Sequence, residues 1–265
     1  MVLKQVEHKK LKLSDKLSKF YPRVPHASQI TIEQLLMMTA GLRGKDESSY
    51  GTPVFKNNQA GIKYDIKHNI VFDKRLYNQR YYSSANYILL SGILEKVTRR
   101  SYENLVKDTY IKRLGLSETE FYWDIPKNKK IKVATSYTKN SQGYLTPHTI
   151  SIDKIHGDIG AGSLVMSNKD LYRATSAILN GEVVKPSLVH KVYAPTDPAT
   201  YNAGFYNFPD FHSSNGSGDG YTTYYRVSND TRDALVIQSN YPVKDYFKVR
   251  QLCNELMDSL IKSAS

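Results

Sequence analysis

Between Ala85 and Val97 the apolar residues Tyr87, Leu90, Ile93, Leu94 and Val97 recur at spacings of three and four. That is the stripe of a helix with one buried face. The same spacing runs through "YENLVKDTYIKRL" (102–114), which stops at Gly115. It returns in the C-terminal segment 244–262, where Phe247, Val249, Leu252, Leu256, Leu260 and Ile261 predict another helix. Two more helices are marked by their ends. "TIEQLLMMTAGL" opens with the capping pair Thr31 and Gln34 and ends at Gly41, while "SNKDLYRATSAILNG" opens with Ser167 and Asp170 and closes on Gly181. In each, the hydroxyl of the first residue can accept an N–H that the helix leaves unsatisfied. Val2, Leu3 and Val6 are spaced like the last turns of a helix. Residues 43–80 are polar and weakly periodic and are expected to be loop with short elements. Residues 121–160 read as an irregular connection with short strands.

Toward the C-terminus the pattern changes. "YTTYYRVS" (221–228) is β-branched and aromatic, the polar turn "NDTRD" follows, and "ALVIQS" (234–239) completes a β-hairpin. Helices in the middle and strands near the end predict an α+β fold, an antiparallel β-sheet flanked by helices with a helical subdomain. No repeat and no Gly/Ser linker divides the chain. A single domain over 1–265 is expected, mainly helical over about 30–180, with the sheet and the C-terminal helix in about 181–265.

Composition narrows the function classes. Of 265 residues 40% are hydrophobic and 23% charged, an ordinary globular balance. The lone cysteine, Cys253, excludes an intramolecular disulfide and zinc-finger spacing. With 37 Lys+Arg against 25 Asp+Glu, the net charge of +12 favours anionic partners. The only basic runs, "EHKKLK" (7–12) and "KNKKIK" (127–132), read as solvated loops or helix ends. Neither aromatic–basic interleaving nor a helix-turn-helix appears, so an anionic cell-wall polymer is expected and nucleic acid is not. The seven histidines are dispersed, with no His-x-x-x-His, and neither a metal nor a cofactor is expected. "GSGDG" (216–220) lacks the Lys/Ser tail of a phosphate loop and reads as a turn. The N-terminus has no apolar run of export length, and no window approaches the ~18 apolar residues of a membrane span.

Five blocks in order carry a resemblance: "KLKLSDKLSKFYP" (10–22), "ITIEQLLMMTAGL" (30–42), "YYSSANYILLSGILEKVT" (81–98), "GAGSLVMSNKDLYRATSAILNG" (160–181) and "NGSGDGYTTYYRVSNDTRDALVIQSN" (215–240). They are similar to blocks of the serine β-lactamase-like hydrolases, which include class C β-lactamases, D-alanyl-D-alanine carboxypeptidases and related esterases. The chemistry of that family has three parts. A Ser-x-x-Lys puts nucleophile and base on one helix face. A Tyr-x-Asn moves protons and orients substrate. A strand motif, Lys/His-x-Gly, lets substrate lie along a strand edge beside amides that stabilise an oxyanion.

The resemblance implies that Tyr82 takes the place of the catalytic tyrosine, with Tyr81 as second choice, and that Ser84 replaces the asparagine. It sets Ser214-Asn215-Gly216 at the strand motif, with Ser214 in place of the basic residue and Gly216 as the glycine. His212 can project from the same strand face and take the basic role if the segment is extended; the alternative is an exposed loop histidine. Before Tyr82 no serine is followed three residues later by lysine. The pairs Ser136/Lys139, Ser151/Lys154 and Ser259/Lys262 come after it, in the wrong order, and read as chance. The resemblance therefore implies a chain that opens just past the nucleophile and lacks the family's N-terminal strands. Open strand edges, uncovered apolar surface, and lowered stability or association with another chain are then expected. The implied function is a penicillin-binding-protein-like hydrolase of D-alanyl peptides or esters of the cell envelope, inactive in this chain. The alternatives are a catalytically dead binding module for peptidoglycan or other wall fragments, and a teichoic-acid D-alanyl esterase in the intact form. The cell envelope or the extracellular space is implied for an intact member, and the compartment of this chain stays open.

Overall fold

A computed structural model describes residues 1–46 and 53–264. The chain begins with helix α1 (Val2–Glu7), a 3-10 turn at Leu17–Lys19 and helix α2 (Ile32–Leu36). The Thr31 box forms as expected: the Gln34 amide donates to Thr31 Oγ1 at 3.2 Å, and the Thr31 amide donates to Gln34 Oε1 at 2.9 Å. Strand β1 (Ala40–Gly44) follows, then helix α3 (Asn58–His68), and strand β2 (Ile70–Tyr77) returns antiparallel to β1. Part of the polar stretch 43–80 is thus regular structure rather than loop, and its residues 47–52 lie outside those described. α3 buries only Ile62 and Asp65, so its sequence carries almost no apolar stripe to signal a helix.

The centre of the helical part is α4 (Ser84–Thr98), which packs against α1, α2, α3, β1 and the short helix α5 (Tyr102–Val106). Ala85, Ile88, Leu89, Leu90, Ile93 and Leu94 are all buried in it. Gly92 permits the close approach of its neighbours, because a Cβ there would lie 2.1 Å from Tyr21 Oη and 2.3 Å from Ile62 Cδ1. The helix predicted over 102–114 begins as α5 and continues as a π-helical turn, Lys107–Lys112. Beyond it lie three short strands, β3 (Thr119–Phe121), β4 (Tyr137–Lys139) and β5 (Leu145–Pro147), and the helix α6 (Ile152–Gly157). Strand β6 (Leu164–Met166) pairs with β3, and helix α7 (Asn168–Leu179) starts on the predicted Ser167 cap, where the Asp170 amide donates to Ser167 Oγ.

After α8 (Pro186–Val192) comes the main sheet. Its strands are β7 (Thr200–Asn202), β8 (Phe205–Asn207), β9 (Phe211–Gly218), β10 (Tyr221–Ser228) and β11 (Ala234–Ser239). They pair antiparallel in the order β11-β10-β9-β8-β7. The predicted hairpin is β10–β11, with Tyr225 opposite Val236. The C-terminal helix α9 (Tyr246–Ala264) covers one face of the sheet, and α7 approaches the other. This is the α+β architecture read from the sequence pattern. The outward side of α9 leaves Leu252 51%, Leu256 47% and Leu260 39% exposed.

Candidate active site

The two halves of the predicted site sit on the two halves of the fold. Tyr82 and Ser84 flank the start of α4, and the connection leading to them is strapped to the segment entering β1. There the Asn78 amide donates to Thr39 O and the Tyr81 amide to Met38 O, both at 2.9 Å. Ser83, fully buried, is the N-cap residue with extended backbone, and Ser84 is the first helical residue. Tyr82 just before them is 58% exposed and Tyr81 38%.

A deeper tyrosine holds this end of the helix in place. Tyr87 Oη donates to Leu36 O at 3.0 Å and accepts from Tyr201 Oη at 3.2 Å, tying α4 to α2 and to strand β7. Burial pushes the Tyr87 phenol well above its usual range, and the phenols of Tyr201 and Tyr82 push it further. The Tyr87 phenol therefore stays protonated, bonded to Tyr201.

His212, Ser214 and Gly216 lie on β9, and strand alternation puts all three on one face. The ladder between β8 and β9 holds only Tyr206 opposite Ser213 and Asn207 opposite His212. Past that point Ser214–Gly218 are paired to β10 alone among the described strands. A stretch of strand edge is left open beside the predicted motif. Among the described residues a Cβ at Gly216 would meet nothing within 4 Å, so no described packing calls for glycine there. Among the described residues no strand pairs with this edge, so its backbone groups could pair with an extended group.

His212 is not the exposed loop histidine of the alternative reading. It is 4% exposed, on a strand, with its ring edge-on to Tyr193 and Phe205 at centroid distances of 6.3 and 5.9 Å. The Asn207 side chain donates to Thr200 O, which turns its Oδ1 toward His212 Nδ1 at 2.9 Å. That bond places the ring proton on Nδ1. Burial lowers the pKa to about 4, so the ring is neutral at neutral pH. It is a core imidazole and carries no charge to the Ser214 edge.

A charged group that the sequence reading passed over supports that edge from the other face. Arg226 on β10 is fully buried and makes five hydrogen bonds. It donates to Asn254 Oδ1 at 2.6 Å, Arg250 O at 3.0 Å, Tyr225 O at 2.8 Å, Asn215 Oδ1 at 2.9 Å and Ser214 O at 3.3 Å. Burial lowers its pKa to about 10, so it remains a cation at neutral pH. Arg80 and Arg250 add two more guanidiniums over the Tyr206 ring, at 5.0 and 4.7 Å from its centroid. Arg80 also lies over Tyr201 at 6.0 Å. Since Tyr206 stands opposite Ser213, these arginines and tyrosines link the Tyr82 segment to the β9 edge. The one signal for Arg226 in the sequence was a cation inside the strand pattern "YTTYYRVS". Nothing local marked Arg80 or Tyr206.

The three other Ser/Lys pairs stand apart. Ser136 is buried and its hydroxyl donates to Asp219 O; Ser151 is exposed; and Ser259 Oγ donates to Glu255 O within α9. Among the described residues no group of three or more His, Cys, Asp or Glu is placed to hold a metal ion. No described helix is long and apolar enough to cross a membrane.

The family described as Beta-lactamase matches residues 1–252. A Bacillus subtilis (strain 168) relative described as "Putative penicillin-binding protein PbpX" is 26% identical over 261 residues, covering 98% of this chain and 63% of the relative. The teichoic acid D-alanine hydrolase of Staphylococcus aureus is 26% identical over 269 residues, covering 97% and 63%. The chain thus spans less than two thirds of the length of the curated relatives it matches. Among solved structures, FmtA from Staphylococcus aureus superposes with a TM-score of 0.79 at 23% identity, covering 97% of this chain and 71% of that one. The D-amino acid amidase of Ochrobactrum anthropi SV3 gives 0.77 at 16%, covering 100% and 82%; at these identities both likenesses establish the fold. The chain belongs to the Beta-lactamase family.

Proposed function

We propose that this chain supplies the substrate-binding edge and the tyrosine side of a hydrolase for D-alanyl esters or peptides of the cell envelope. On its own it forms no acyl-enzyme. The observation that carries this reading is the β9 edge: Ser214–Gly218 run past β8 with open space at Gly216. An extended peptide or ester can add to such an edge by backbone hydrogen bonds. The guanidiniums of Arg80, Arg226 and Arg250 give this region a positive field, which suits a substrate bearing a carboxylate or phosphate. A D-alanylated teichoic acid fits the charge, and the S. aureus relative is named as a hydrolase of that polymer.

Covalent catalysis needs a nucleophile with a base in hydrogen-bond reach. In this sequence no Ser-x-x-Lys precedes Tyr82, and His212 is locked to Asn207 in the core. In subtilisin, whose kinetics illustrate the general rule, losing the nucleophile or its base costs roughly 10⁶ in turnover. Intact mass spectrometry after incubation with a fluorophosphonate, and separately with penicillin, tests the reading. We expect no adduct. An adduct on any serine of this chain contradicts the inactive half of the proposal and identifies the nucleophile.

A further inference from the structure

The basic run "EHKKLK" ends in a groove that the reading above leaves unused. The groove measures about 520 Å³ and is lined by α1, the turn after it, α2 and α8. Val6, Leu11, Leu13 and Leu188 line it with apolar side chains, and Lys9, Lys12 and Lys191 bring three ammonium groups. Glu33 is the one carboxylate on its wall. All three lysines are exposed, and among the described residues none of their ammonium groups is held in an ion pair within 4.0 Å.

Lys9 adds a second peculiarity. It stands two residues past α1 with φ 58°, one of eight described non-glycine residues with positive φ, and its amide donates to Val6 O at 3.0 Å. This left-handed position after a helix ordinarily belongs to glycine, and a side chain there is strained by about 1 kcal/mol.

We propose that this groove seats the phosphate head and first methylenes of an anionic lipid, and so docks the protein on an anionic membrane surface. The site combines charge with apolar area. The three ammoniums outweigh Glu33 on the wall and the neighbouring Asp15, whose carboxylate Lys12 and Lys19 attract, and so suit a phosphodiester; the half-buried Val6 and Leu13, with Leu11 and Leu188 buried behind them, suit the carbons that follow it. Lys9 and Lys12 come from one turn and Lys191 from the facing helix, so the cations approach the ligand from two sides. The inference is independent of the hydrolase reading, and its test does not use activity.

Co-sedimentation with vesicles of phosphatidylcholine alone, and with one-third phosphatidylglycerol, measures the binding. The full chain should sediment with the anionic vesicles only, and less so at high salt. The triple variant Lys9→Gly/Lys12→Gln/Lys191→Gln should lose about a hundredfold in partition coefficient, since each cation at such a surface contributes roughly fivefold. Glycine relieves the backbone at position 9, so loss of folding does not explain that result. The control Lys129→Gln/Lys130→Gln/Lys132→Gln removes the same charge from the other basic run and should keep binding within about threefold of the parent. Leu13→Ser, which leaves the charge unchanged, should weaken binding about tenfold. Three results overturn the proposal. The first is no binding to anionic vesicles. The second is an equal loss in the control, which makes the effect one of net charge. The third is full displacement by soluble glycerol phosphate with no effect of Leu13→Ser, which makes the groove a simple anion site.

Discussion

The two faces of the main sheet each bury a basic residue, and they treat it in opposite ways. On the α9 face Arg226 stays charged with no carboxylate paired to it among the described residues, held by three oxygens of the sheet, by Arg250 O of α9 and by the Asn254 side-chain oxygen. On the other face His212 sits among Tyr193 and Phe205 with one polar partner and is kept neutral. The difference lies in donors. A guanidinium offers five N–H groups in a planar fork, enough to replace its lost hydration by carbonyls. An imidazole with one acceptor in reach cannot do so, and desolvation removes its proton. The consequence for the site is directional. The positive charge beneath the Ser214–Gly218 edge comes through the strand from Arg226, and none comes from His212 beside it.

The largest expected effect breaks this contrast outright. Arg226→Met leaves five acceptors without their donor inside the sheet and should lower stability by about 3–5 kcal/mol, read from urea unfolding at neutral pH. A loss near zero would show that the guanidinium is replaceable by packing and does not hold β9 to α9.

Next comes a buried group of opposite sign. Asp65 in α3 is 5% exposed, and burial raises its pKa to about 7, with Asn69 opposing and Asp158 adding to the shift. Its folded pKa lies above its unfolded one, so its stabilising effect is complete in acid and is lost as pH rises through about 7. Asp65→Asn should remove a loss of about 4 kcal/mol between pH 4 and 8. His212 works the other way. Its folded pKa of about 4 lies below the unfolded value of 6.5, so its contribution is present above pH 6.5 and lost as pH falls through 4. His212→Asn, which keeps a donor for Asn207, should abolish an acid loss of about 3 kcal/mol. Because the two groups oppose each other over one window, the parent should show a flat pH profile of unfolding free energy. Each single variant should then expose the slope of the other.

The smallest effect is expected at the exposed end of the site. Tyr82→Phe should change stability by no more than about 0.5 kcal/mol. A larger loss in thermal denaturation would mean that the phenol is part of the packing rather than of a surface that meets substrate.

Much of this was written locally in the chain. α7 and α9 carry both periodicity and length, α4 a run of buried leucines and isoleucines, and β10–β11 a turn between β-formers. α3 was not legible, because its buried side is one isoleucine and one aspartate amid polar residues, and β2 because its middle is "DKR". The site divides in the same way. The places of Tyr82, Ser84, Ser214 and Gly216 came from the resemblance, and the structure sets them on a helix start and an open strand edge. His212 was read from the two-residue period alone. The period gave its face, but whether that face met solvent or α8 depended on the chain packed over it. Arg226 and Asp65 escaped notice for the same cause: burial of a charge is decided by distant neighbours, here Asn254 and Asp158, that no local window contains.

The central claim is that the β9 edge and the Tyr82 segment form one binding surface for a D-alanyl group. Amide chemical shifts of the labelled chain, followed during titration with D-alanyl-D-alanine, test it most directly. Signals of Ser214–Gly218 and of Arg80–Ser84 should move together with one saturation curve. Movement confined to other residues, or none at all at saturating peptide, would contradict the account.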